Sequence, residues 1–143
     1  MKKNNQSIRR FSRTKTDDVM INDVQNWLIT KGFRPKVEHF LLFSSFDGHY
    51  VGCSRSFTLQ QVEGNTISHP DIFIENLKLV IEIDGNEKNN IHEIKKKKTD
   101  ERNEIYKRGG MNLIIINPQE LRIRNQTWQE YVKFKLYEMY GMF

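Results

Sequence analysis

The 143-residue chain lacks several features that would place it in particular protein classes. Cys53 is its only cysteine, so it can form neither an internal disulfide nor a cysteine-rich zinc site. It has no run of about 18 apolar residues, which a transmembrane helix needs. Its N-terminus is basic but is followed by no apolar segment, so we expect no secretory signal. These absences predict a cytoplasmic protein of the reducing compartment, without a membrane partner.

Basic residues are concentrated at the N-terminus. Residues 1–15 hold six of the 23 lysines and arginines and none of the 18 acids, so the remainder carries a net charge near −1. We therefore expect a flexible basic arm over 1–15 and one folded domain over 16–143. Such an arm contacts a phosphate backbone, here through Arg9, Arg10 and Arg13; alternatively it is a solvated tail.

The order of apolar patterns predicts a mixed α/β (α+β) domain. A hairpin, then a helix, then a solid apolar strand indicates a mixed central β-sheet flanked by helices, with order α-β-β-β-α-β-α. A right-handed crossover makes the last strand parallel to strand 77–84. The predicted elements are helix 16–32, strand 35–43, a hairpin or two edge strands over 48–65 within an inserted segment 43–68, a second hairpin over 69–86, helix 89–110, strand 111–117 and helix 127–141.

The segment HPDIFIENLKLVIEIDGN, residues 69–86, combines strand-forming residues with three carboxylates, Asp71, Glu82 and Asp84. Burying an unpaired acid costs several kcal/mol, so their presence in a strand pair needs a reason. With a two-residue turn at Glu75 and Asn76, alternation places all three acids on one face and the Ile and Leu residues on the other. Asp71 and Glu82 then become diagonal neighbours, with Cβ atoms roughly 7–8 Å apart.

Carboxylates at this spacing repel one another unless a cation or a proton lies between them. Oxygen ligands without cysteines or a histidine pair favour Mg²⁺ or Mn²⁺ over zinc. The alternative is that the acids line the solvated face of an antiparallel pair. That alternative is weaker for Glu82 and Asp84, because strand 77–84 is expected to be central and covered on both faces.

Two motifs resemble a known enzyme family. Pro70-Asp71 followed by Glu82-Ile83-Asp84 resembles the signature of the PD-(D/E)XK, or restriction-endonuclease-like, superfamily. LVIEIDG (79–85), followed by a helix with Arg102, Tyr106 and Gly110 and then by a strand, is similar to the very-short-patch-repair-like endonucleases. The resemblance implies a restriction-endonuclease-like core over about 16–42 and 69–117.

The resemblance also implies a site. Asp71, Glu82 and the carbonyl of Ile83 are the expected ligands of Mg²⁺ or Mn²⁺, and Asp84 completes the coordination or orients a second metal. The lysine of the superfamily signature is replaced by Asp84, which leaves the general base open. Lys88 stands where the narrower group often has histidine, and it either supplies the missing cation or is an exposed loop residue. Weaker candidates are His92, a second candidate for the role of Lys88 or else a surface residue of the helix, Glu38 as an accessory acid, and Asp23, four residues before Trp27.

These features together predict a metal-dependent DNA endonuclease. Residues 95–98, on the helix after the hairpin, are four consecutive lysines. At most two of them, such as Lys95 and Lys96, can face DNA beside Arg102. The alternative is that the lysines form an ordinary solvated helix face. One alternative is a Holliday junction resolvase of the same fold, which requires a symmetric homodimer. Another is a nucleic-acid-binding module that has lost catalysis, against which the three acids argue.

Overall fold

A computed structural model of the protein describes residues 15–84 and 92–143. The predicted arm, with Arg9, Arg10 and Arg13, lies outside these ranges except for Lys15, at which the first helix begins. Within them, the helices and strands in chain order are α1 (Lys15–Thr30), β1 (Phe40–Ser44), β2 (Tyr50–Ser54), α2 (Leu59–Val62), β3 (Asn65–Ser68), β4 (Ile72–Ile74), β5 (Leu79–Ile83), α3 (His92–Arg108), β6 (Asn112–Ile116), α4 (Pro118–Ile123) and α5 (Trp128–Tyr140).

The described strands form two small sheets, whereas the sequence predicted one central sheet. The first is antiparallel, with order β2-β1-β3, and the second has order β4-β5-β6. In the second sheet β4 is antiparallel to β5, and β6 is parallel to β5, as the predicted crossover through α3 requires. The chain is therefore of the mixed α+β class, and the mixed sheet that carries the acids is confirmed.

The hairpin between β4 and β5 differs from the prediction in its turn. Residues Glu75–Leu77 form a 3-10 turn, and Lys78 then adopts a left-handed conformation with φ 51°. As a result Ile74 pairs with Leu79 and Ile72 with Ile81. This register differs from the predicted one by two residues, so every side chain keeps its expected face.

Each face of the second sheet has its own apolar core. Helices α1 and α5 pack on the isoleucine face, where Val24, Leu28, Val132 and Leu136 are fully buried. The opposite face carries Phe73 and Val80, which pack with Tyr106 of α3 and with Leu41 and Phe43 of β1. Helix α3 and the first sheet therefore cover the face on which the acids lie.

The last helix follows its predicted boundaries closely. Helix α5 begins with the predicted capping box between Thr127 and Glu130 and ends before Gly141, which has a positive φ. In the inserted segment, β2 lies within the predicted strand region 48–65, but β3 begins only at its last residue, and a short helix lies between the two strands, which both flank β1. Helices α2 and α4 were not predicted, because four to six residues are too few to show helical periodicity.

Candidate metal centre

Asp71 and Glu82 are the two buried acids among the described residues, with 4% and 2% of their surfaces exposed. Continuing the β4–β5 register by one residue places Asp71 directly opposite Glu82, closer than the diagonal arrangement that the two-residue turn predicted. The Asp71 carboxylate reaches across to β5, where its Oδ2 accepts a hydrogen bond of 2.8 Å from the backbone N–H of Ile83. The hairpin therefore brings two carboxylates together in a buried position.

Helix α3 contacts both oxygens of the Glu82 carboxylate. The hydroxyl of Tyr106 donates to Oε2 at 3.1 Å, and Nη1 of Arg102 lies 3.6 Å from Oε1. Arg102 and Tyr106 are four residues apart, so one turn of helix places them on the same face. The Tyr106 oxygen in turn accepts from Oγ of Ser68, at the end of β3, at 3.2 Å.

The electrostatic environment of Glu82 is dominated by burial. Burial, followed by the nearby Asp71 carboxylate, raises the pKa of Glu82 to about 8, although Arg102 and the Tyr106 hydroxyl both act to lower it. When both carboxylates are ionised, the pair carries more negative charge than Arg102 alone balances. A divalent cation between the two carboxylates would supply the missing positive charge, so these residues fit the predicted ion.

Asp84 lies at the end of β5, at the same edge of the sheet. Its backbone N–H donates to the carbonyl of Ile116 at 2.8 Å, which extends the parallel pairing with β6. Its Oδ2 lies 3.5 Å from the Nδ2 donor of Asn117. Asn117, the residue that precedes α4, therefore holds the Asp84 side chain at this edge of the sheet, two residues beyond Glu82 along the chain.

Side chains alone do not make a metal cage here. In residues 15–84 and 92–143, no three His, Cys, Asp or Glu side chains are grouped closely enough to hold an ion. The predicted ligand set has only two carboxylates, Asp71 and Glu82, together with the carbonyl of Ile83. Mg²⁺ commonly binds to one or two carboxylates and keeps several water ligands, so this set suits it better than it suits zinc.

The structure also locates the weaker candidates. Glu38 is exposed and has φ 58°, and its Oε1 lies 4.0 Å from Nε2 of His69, two residues before Asp71 in the chain. Asp23 is exposed on α1, which packs on the opposite face of the sheet. Lys88 lies outside the described residues, and so do the side chains of His92, Lys95 and Lys96, although their backbone belongs to α3.

Arg102 was predicted to contact DNA, and this stays a prediction; its Nη1 lies 3.6 Å from Oε1 of Glu82, and 33% of its side chain is exposed. The contacts that Ser68, Tyr106 and Asn117 make in the site were not predicted from the sequence. The four-residue spacing of Arg102 and Tyr106 is the one signal that indicates a shared polar face. The other two contacts depend on tertiary packing.

Comparisons with protein-family models, with curated proteins and with solved structures gave no match. None of the described helices is both long and apolar enough to cross a bilayer. The functional argument therefore depends on the site itself.

Proposed function

We propose that the protein is a Mg²⁺- or Mn²⁺-dependent endonuclease that hydrolyses phosphodiester bonds in DNA. The observation that supports this most directly is the Asp71–Glu82 pair, two buried carboxylates facing each other across β4 and β5. Two buried acids at this distance destabilise the fold when both are ionised, unless a cation or a proton lies between them. The resemblance of the surrounding motif to PD-(D/E)XK nucleases favours the cation.

Each residue has a defined task in this proposal. Asp71, Glu82 and the carbonyl of Ile83 bind the ion, while Asp84 orients a water ligand or a second ion at the edge of the sheet. When bound, the ion supplies Lewis-acid stabilisation of the phosphate and lowers the pKa of a coordinated water. Arg102 balances part of the charge on an ionised Glu82.

The choice of DNA as substrate is supported by charge. The six basic residues of positions 1–15 suit binding to a polyanion. Without them, the remaining residues have a net charge close to zero, so the positive charge of the chain is concentrated in this segment. A nuclease of this kind acts where DNA is found inside the cell, in agreement with the single cysteine.

The test is cleavage of supercoiled, linear and four-way-junction DNA with Mg²⁺, Mn²⁺ or EDTA. Asp71→Asn and Glu82→Gln should each abolish turnover and leave DNA affinity, measured in EDTA, equal or tighter, because negative charge near the phosphates is lost. Glu75→Gln is the matched control, since Glu75 is an acid of the same hairpin that pairs with Lys36 at 3.0 Å. Cleavage by Asp71→Asn and Glu82→Gln at the wild-type rate would show that the site is wrong.

Two other outcomes point elsewhere. Cleavage confined to the junction, by a protein whose solution mass is that of a homodimer, would indicate a Holliday junction resolvase. Metal-independent binding of DNA with no cleavage of any substrate by the wild type would indicate a binding module without catalysis.

A further inference from the structure

We infer that the hydroxyl of Tyr106 is a positioning group that fixes the Glu82 carboxylate for metal binding, and that Ser68 in turn orients this hydroxyl. The inference deepens the proposed function and rests on the metal site assigned there. It concerns two residues that the ligand set does not include.

The hydrogen bonds run in one direction. Ser68 Oγ donates to the Tyr106 oxygen at 3.2 Å, and the Tyr106 hydroxyl, which has a single hydrogen, donates to Oε2 of Glu82 at 3.1 Å. Because Ser68 occupies the acceptor side of the phenol, the phenolic hydrogen is directed at Glu82. The chain of bonds joins β3, α3 and β5, three elements far apart in sequence.

Packing alone does not explain a tyrosine at this position. Tyr106 is fully buried, and its ring lies 6.1 Å from the ring of Phe43 in an edge-to-face arrangement. Phenylalanine would fill the same space without placing a hydroxyl in an apolar core, where each polar group needs a partner. The hydroxyl therefore has a role beyond the core, and Glu82 is the acid that it contacts.

The consequence for the site is geometric. Tyr106 contacts Oε2 and Arg102 lies near Oε1, so α3 restrains the plane of the Glu82 carboxylate from both sides. The orientation of that plane decides whether Glu82 and Asp71 can share one ion. Groups that hold a metal ligand in place commonly change metal affinity by about 10- to 100-fold when they are removed.

The experiment compares Tyr106→Phe with Tyr50→Phe. Both variants delete a tyrosine hydroxyl that donates to a glutamate at 3.1 Å, but Tyr50 contacts Glu75, at the turn end of the hairpin. Mn²⁺ binding is measured by calorimetry, and the Mg²⁺ concentration for half-maximal cleavage is measured beside the DNA dissociation constant in Ca²⁺. Thermal unfolding in EDTA reports any purely structural effect.

Tyr106→Phe should weaken Mn²⁺ binding and raise the half-saturating Mg²⁺ concentration by about tenfold, with DNA affinity unchanged. Ser68→Ala should produce a smaller change in the same direction, and Tyr50→Phe none. Equal Mn²⁺ affinity in Tyr106→Phe and Tyr50→Phe would overturn the inference, and so would a wild type that binds no Mn²⁺ at Glu82. Glu82-dependent Mn²⁺ binding without cleavage would instead refute the proposed nuclease function, and the calorimetric comparison would still decide the role of Tyr106.

Discussion

The raised pKa of Glu82 makes stability depend on pH in the direction opposite to that of an ordinary surface acid. In the metal-free folded protein Glu82 keeps its proton up to about pH 8, whereas the unperturbed carboxyl ionises near 4.5. Between these values the folded state binds more protons than the unfolded state. The contribution of Glu82 to stability is therefore fully present below pH 4.5 and is lost as pH rises through 8.

The size of the effect follows from the two pKa values. Their separation, from 4.5 to about 8, corresponds to at most about 5 kcal/mol at 1.36 kcal/mol per pH unit. Water entry and relaxation around the ionised pair offset part of this cost. We expect at least about 2 kcal/mol of the loss to be measurable between pH 5 and pH 9.

The assay is urea unfolding in EDTA at several pH values for wild type and Glu82→Gln, which cannot ionise at this position. The wild type should lose stability relative to the variant as pH rises, and Mg²⁺ at pH 9 should restore the wild type alone. Glu75→Gln is the control with the opposite sign, because the hydrogen bond from Lys36 lowers the pKa of Glu75 and its contribution is lost as pH falls. Parallel curves for wild type and Glu82→Gln would refute the reasoning.

Two further predictions concern packing and DNA contact. Gly109→Ala should destabilise the fold by about 1–3 kcal/mol in urea unfolding, because an added Cβ would lie 2.3 Å from Cε1 of Phe43. Gly52→Ala is the control, since no atom lies within 4 Å of a Cβ added there, and an equal loss of stability in the two variants would contradict the prediction. Helix α4 is capped by Asn117 beside Asp84, and exposed Arg122 and Arg124 lie at its other end. Arg122→Ala with Arg124→Ala should therefore weaken DNA binding and reduce the slope of log affinity against log salt by about 2, whereas Lys133→Ala with Lys135→Ala on α5 should leave the slope unchanged. Identical slopes for the two double variants would exclude this turn from the interface.

Side-chain alternation made the acidic face predictable from sequence, and the turn made the register unpredictable. Period-two alternation assigns Asp71 and Glu82 to one face whenever the turn changes by an even number of residues. In the observed turn Lys78 adopts a left-handed conformation. The sequence around it contains neither Asn-Gly nor Asp-Gly, the pairs that usually signal such a hairpin turn. The sequence therefore predicted the correct face but a diagonal pair in place of a direct one.

The contacts around Glu82 depend on distances that local sequence does not encode. Tyr106 reaches Glu82 because α3 packs against the second sheet, and Gly109, just after α3, leaves room for the ring of Phe43 in β1. Ser68 reaches Tyr106 because β3 pairs with β1 in a separate sheet. Pairing between distant segments leaves little signal in the local sequence. For the same reason, the strands of the first sheet were expected to belong to one central sheet together with β4, β5 and β6.

Asn117 performs two tasks with one amide group. Its Oδ1 accepts from the backbone N–H of Glu120 and so caps α4, while its Nδ2 lies 3.5 Å from the Asp84 carboxylate. Aspartate, serine and threonine are comparable helix caps, but aspartate would set a second negative charge against Asp84, and the two hydroxyl residues are too short to serve both partners. Asparagine is thus the one common capping residue that satisfies both neighbours, so we expect this position to tolerate substitution far less than its partly exposed location suggests.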